Sequence, residues 1–265
     1  MNIFRYELRA NGKTAFWYLV GMVAFLGFYL AFYPSFAKDS EAFLKVAEGF
    51  PPALESALGF RFADMVSLLG YYSFELLYVA LVGSIWAMNL GVGILSKEER
   101  DKTADFLFSK PASRSVVIVA KWGASLSLVV LSNLILFPLS AFFLGTISGE
   151  SYPLRSFLLL TASVPFLEFF FLGVGFLIGA FLSRIRNTIG ISLGVVFGTF
   201  AIGAFAVQGE DDLMRFLSPF KYFESRYILN NGTYEWEYLA FGLGVLVLCV
   251  LGAWVWYVRK DIESV

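Results

Sequence analysis

WGASLSLVVLSNLILFPLSAFFLGTISG, residues 122–149, decides the fold class. These 28 residues hold no charged side chain. A helix needs about 20 apolar residues to cross the hydrocarbon core of a bilayer. A barrel strand would need only about 10, with strict alternation of apolar and polar positions, and this run does not alternate. Lipid offers backbone groups no partners, so the run is predicted to cross as an α-helix. Working outward, four more charge-free runs follow, at 14–37, 76–96, 187–209 and 238–258, and a sixth at 156–183 is interrupted only by Glu168. The expected fold is all-α: one polytopic membrane domain over 1–265, with six transmembrane helices.

Composition agrees. Hydrophobic residues make up 58% of the 265 and charged residues 15%, against about 45–50% and 25% in a soluble domain. The mean hydropathy is +0.71. These values exclude a soluble globular domain and a disordered chain. The single cysteine, Cys249, falls in the last window, so no intrachain disulfide can form.

The loops give the orientation. With the N-terminus inside, the inner segments carry 13 Lys and Arg and the outer segments 7, so both termini are expected in the cytoplasm of a cell carrying the protein in its plasma membrane. The first window is too long for a signal-peptide core. Residues 2–12 place Ile3, Phe4 and Leu8 on one helical face and are expected to form a short interfacial helix, or else a frayed basic tail.

Several chemistries are excluded. The chain has no histidine, which removes His-based metal sites and Ser–His or Cys–His pairs. Asn11-Gly12-Lys13-Thr14 ends like a phosphate loop, but Glu7 stands where that motif needs glycine. Asp211-Asp212 reads as solvated surface and Asn231-Gly232 as a tight turn. No metal ligand set and no nucleic-acid signal is found.

The most informative hydrophilic stretch is SKEERDKTADFLFSKPASRSVVIVAK, residues 96–121. Ser96 can cap a helix with Glu98 and Glu99 in its first turn. Pro111 should end that helix, and Ser113 or Ser115 can begin the next. Phe106 and Leu107 are apolar residues on an otherwise charged cytoplasmic segment. They suit either a docking helix parallel to the membrane or a solvated loop dipping into lipid.

Here the chain resembles the type-2 ABC exporter permeases. Their second cytoplasmic segment typically reads E-E-x-x-x-G-T-x-x-x-L-L-x-x-P-[VI]-x-R, followed by an aliphatic pair and a basic residue. Glu98, Glu99, Thr103, Leu107, Pro111, Arg114, Val117, Ile118 and Lys121 stand in that register. Lys102 replaces the usual glycine and Phe108 a leucine. The resemblance implies a cytoplasmic coupling helix seated in a separate ABC ATPase subunit, contacted through Glu98, Glu99, Thr103, Leu107, Pro111 and Arg114, with Phe106 added for its apolar character. Arg184 and Arg186 in the next inner loop are a lesser contact or simply obey the positive-inside rule. The resemblance also implies a second permease subunit, a homodimer in the simplest case. No cofactor is expected on this chain; ATP and Mg would lie on the partner.

Within the spans, Gly175 and Gly179 and the row Gly190, Gly194, Gly198 are spaced by four. Such rows bring helices close, either at a dimer seam or within the chain. Glu168 is the one charge deep in a window, and Asn133 lies at similar depth in the preceding helix. They form either part of a substrate pathway or a structural pair. Glu75, at the outer end of the second window, is either a further intramembrane polar group of this kind or simply reaches the interface. Residues 210–229 read as an amphipathic outer segment before helix six. An ATP-independent transporter would want more intramembrane charge or inverted repeats. An intramembrane enzyme would want clustered acids or a Ser–Lys pair at one depth. Neither pattern is present.

Overall fold

A computed structural model describes residues 3–51, 55, 62–101, 113–148, 151–182, 185–205 and 212–259. Among them there are helices and no strands. Helix α1 spans Ile3–Leu30, α2 Tyr33–Lys38, α3 Ser40–Ala47, α4 Leu68–Arg100, α5 Arg114–Ser148, α6 Leu154–Phe181, α7 Thr188–Phe205, α8 Asp212–Leu217, α9 Ser225–Asn231 and α10 Trp236–Arg259. Two 3₁₀ turns, Phe62–Val66 and Pro219–Phe223, join them. Five helices, those beginning at Ile3, Leu68, Arg114, Leu154 and Trp236, are long and apolar enough to cross a membrane; α7 is apolar but shorter.

The first helix corrects one expectation. Residues 3–30 form a single continuous helix, with no separate interfacial piece. No proline interrupts it, and Asn11 folds its amide back onto the Glu7 carbonyl at 3.0 Å, so the Asn-Gly pair does not break it. Helices α4 and α5 likewise overrun their windows. At 33 and 35 residues they are about 50 Å long, well beyond the ~30 Å of hydrocarbon. Ser96 therefore sits inside α4 and bonds back to the Val92 carbonyl at 2.8 Å, instead of capping a helix. Ser113 does start α5, accepting from the Val116 N–H at 3.3 Å.

Helix α4 is the centre of the bundle, packed chiefly on α6. Glycine makes this approach possible. A Cβ on Gly175 would lie 2.4 Å from the Met88 carbonyl oxygen, and one on Gly91 2.6 Å from that of Leu172. Gly179 meets the Val92 carbonyl in the same way, at 2.8 Å. Tyr72 then ties α4 to α6 through its hydroxyl at 2.9 Å from Thr161. Helix α1 lies against α5, and α10 against α6.

Two apolar clusters fix the ends of the bundle. Ile94 and Leu95 of α4, Val117 and Ile118 of α5, Phe176 and Ala180 of α6, and Ala253 and Tyr257 of α10 pack together with Ile3. The first described residues thus share an end with the last helix, here called the basic end. At the far end Leu30, Tyr33, Tyr72, Leu144, Phe157 and Ile228 share a core. The perimeter is apolar, with Trp17, Phe28, Leu134, Phe142, Leu248 and Trp256 exposed. A surface of that kind is covered by lipid or by another protein.

Candidate functional site

At the basic end a charge network joins three helices. Lys121 of α5 is wholly buried, and a buried ammonium is costly unless paired. Its Nζ lies 2.5 Å from Glu98 of α4, donates to the Ile94 carbonyl, and stands 3.9 Å from Glu7 of α1. Glu7, 1% exposed, pairs with Lys97 at 2.5 Å. Lys97 also rests over the Tyr6 ring at 4.9 Å. Two carboxylates and two ammonium groups thus balance at the mouth of the 97–121 loop. Beside them, Arg114 donates to the Val258 carbonyl at 3.5 Å and ties the start of α5 to the end of α10.

Midway along the bundle, Asn133 of α5 donates to Glu168 of α6 at 2.5 Å, and its amide also reaches the Val129 carbonyl at 2.9 Å. Among the described residues the second Glu168 oxygen has no hydrogen-bond partner, and it abuts Gly83 of α4, where a Cβ would be 2.3 Å from it. Glu75 lies inside the bundle. It is fully buried, and among the described residues neither carboxylate oxygen has a hydrogen-bond partner. The reason is that α4 begins at Leu68, two turns earlier than the window suggested, so Glu75 sits inside the helix packing and not at an interface.

At the far end the 212–235 segment packs against the bundle. Arg215 of α8 holds the Glu235 carboxylate with contacts of 2.9 and 3.0 Å and lies 4.2 Å above the Tyr238 ring. Burial alone would lower the Arg215 guanidinium, but its bond to Glu235 outweighs this and holds it above its ordinary value. Tyr222 bonds to the Phe216 carbonyl, and Tyr234 to that of Leu159 in α6 at 2.7 Å. Gly232 takes a left-handed φ of 61° to end α9, the turn its Asn-Gly sequence announces. A cavity of about 60 Å³, room for a few waters, lies between α4, α6, α7 and the 219–223 turn. It is lined by Leu76, Leu167, Phe200, Ser218 and Lys221.

A family model described as an ABC-2 family transporter protein matches residues 1–262. The chain belongs to the ABC-2 transporter family. No curated protein matches it. An ABC-2 permease is a membrane transport subunit, associated with an ABC ATPase and generally not catalytic itself.

Within this permease, the residues expected to dock the ATPase divide. Thr103, Phe106, Leu107, Pro111 and Arg184 lie outside the described residues, as does the side chain of Glu99. Arg186 is exposed. Glu98 is turned inward to Lys121, its side chain only 13% exposed. Gly175 and Gly179 pack within the chain, as above. Among the described residues, Gly194 and Gly198 meet nothing within 4 Å, and the atoms nearest Gly190 belong to its own cap residue Asn187. Glu7 and Lys97 escaped the sequence reading. The available signal was an acid among the basic residues of the N-terminal segment, but nothing in sequence tells which base it meets.

Proposed function

We propose that this ABC-2 chain, a single membrane domain over residues 1–265, is the permease subunit of an ATP-driven exporter, coupled to a separate ATPase through the loop between α4 and α5. The family match over nearly the whole chain carries the reading. The loop leaves from two helices that are each longer than the hydrocarbon is thick. Its flanks, Glu98 and Lys121, are fixed to each other. Glu98, Glu99, Thr103, Phe106, Leu107, Pro111 and Arg114 form or shape the docking element, with Arg184 and Arg186 as a lesser contact. ATP and Mg belong to the partner, and this chain binds no cofactor.

The packing of helix ends supports six crossings with both ends of the chain on one side, and the excess of Lys and Arg there supports placing that side in the cytoplasm, under the plasma membrane. Helix α6 finishes at the basic end, while α10 begins near the far end and returns to the basic end. The chain has to climb back between them, and α7 is the helix available. Its Gly203 presses on Ser218 and Lys221, and its Phe200 lies 5.5 Å from Phe220 in the outer segment. The open glycine face of α7, with Ile189, Leu193 and Phe197 exposed beside Gly190, Gly194 and Gly198, suits a second permease copy. The charge-poor perimeter and spans suit export of a lipid-like or hydrophobic compound.

The decisive experiment is affinity purification of the tagged chain from native membranes in mild detergent. A soluble ABC ATPase is expected to co-purify, and to be lost when Phe106 and Leu107 are replaced by Asp. A purified chain that moves substrate alone, driven by an ion gradient, would overturn the reading.

A further inference from the structure

The 97–121 loop is bounded by two lysines, Lys97 and Lys121, and both point at one residue outside it. That residue is Glu7. Its Oε2 is 2.5 Å from Lys97 Nζ and its Oε1 3.9 Å from Lys121 Nζ. Neighbouring groups of α1 reinforce the grip, with Tyr6 under the Lys97 ammonium and the Asn11 amide 3.4 Å from the Glu7 carboxylate. Glu98 completes the set on the opposite side of Lys121. Lys121 and Glu7 are almost fully buried, so salt screens them little and neither can leave without stranding a charge. Helix α1 is otherwise a peripheral helix whose outer face carries Phe16, Trp17, Phe25 and Phe28. It is also unbroken from Ile3 to Leu30, and its far end stacks Tyr29 on Tyr71 of α4 at 4.6 Å.

We propose that Glu7 is a positioning residue of the transport cycle: it locks the N-terminal helix to both arms of the ATPase-docking loop, so that motion imposed on the loop is carried along α1 to the far end of the bundle. The inference rests on the permease reading above. The alternative is a static staple, which would hold the fold together and transmit nothing. A staple and a transmitter differ in one readout, the nucleotide-dependent change at the distant half of α1.

The test uses the whole permease–ATPase complex in lipid nanodiscs and hydrogen exchange followed by mass spectrometry, comparing nucleotide-free and ATP–vanadate-trapped states. In the wild type, residues 20–32 should change their deuterium uptake on trapping. Glu7→Gln should assemble with the ATPase and hydrolyse ATP near the wild-type rate, but lose at least half of that difference. Lys97→Gln, which breaks the same link from its partly exposed side, should do likewise. A wild-type difference in either folded single variant would overturn the proposal. So would an unresponsive α1 in the wild-type complex. Failure of the ATPase to co-purify with the wild-type chain would instead overturn the permease reading, before any variant is made.

Discussion

Lys121 shows what a buried charge demands of its surroundings. It contacts Glu98, Glu7 and a backbone carbonyl, and with no exposure to water its ammonium depends on them entirely. Lys121→Met should leave Glu98 and Glu7 short of a partner and cost about 3–5 kcal/mol, read as a lowered unfolding temperature in detergent. Adding Glu98→Gln to Lys121→Met should recover part of that loss, because the stranded charge goes with it. Glu168 makes a different case. Glu168→Gln retains a carbonyl oxygen for the Asn133 amide, so it should cost less stability than removing that amide. Asn133→Leu removes the partner and should cost about 1–3 kcal/mol in the same assay. The depth of these two residues was legible from their positions in windows three and four, and so was their proximity in antiparallel neighbours. The partners of Lys121 were not. Pairing across Glu7, Glu98 and Lys121 spans three separate helices, and sequence spacing carries no information on which faces meet.

At the scale of elements, glycine rows that look alike in sequence act differently. Gly175 and Gly179 sit where α6 touches the α4 backbone, whereas Gly194 and Gly198 face open space on α7. Gly175→Ala should push the two helices apart and cost about 1–3 kcal/mol. Gly194→Ala should leave the stability of the single chain unchanged and weaken association of two copies. Thermal unfolding checks the first outcome. Cross-linking through Ile189→Cys, an exposed position on the same face, in a Cys249→Ser background, compared with and without Gly194→Ala, checks the second. Periodicity revealed the rows, since spacing by four is all that a shared face requires. It did not reveal which row had a partner, because that depends on how α4 threads the bundle. Helix limits were misjudged for a similar reason. Charge-free windows measure the hydrocarbon, while a helix continues into water as long as its backbone bonds and side-chain pairs persist. Glu7 with Asn11 in α1 and Ser96 in α4 are such continuations.

For the whole molecule, the shared end of Ile3, Ile94, Val117 and Tyr257 makes a testable statement about topology. A cysteine at Arg259 should be shielded from a membrane-impermeant maleimide in intact cells, and one at Trp236 should react. The reverse pattern, with Arg259 labelled and Trp236 shielded, would contradict the crossing of α7 and place the end of α10 outside. Composition and hydropathy alone were enough to determine that this chain is helical and lives in a membrane, because lipid tolerates few charges and no unpaired backbone. The spacing of Glu98, Glu99, Thr103, Leu107, Pro111 and Arg114 was enough to point to an ABC permease. Only the tertiary structure decided that α4 is the central helix, that Glu75 is buried, and that the N-terminal helix is bound by Glu7 to the loop ends. Those facts depend on which side chains meet after the helices have packed, and packing is set by close approach at Gly91 and Gly175 and by the need of each buried charge for a partner.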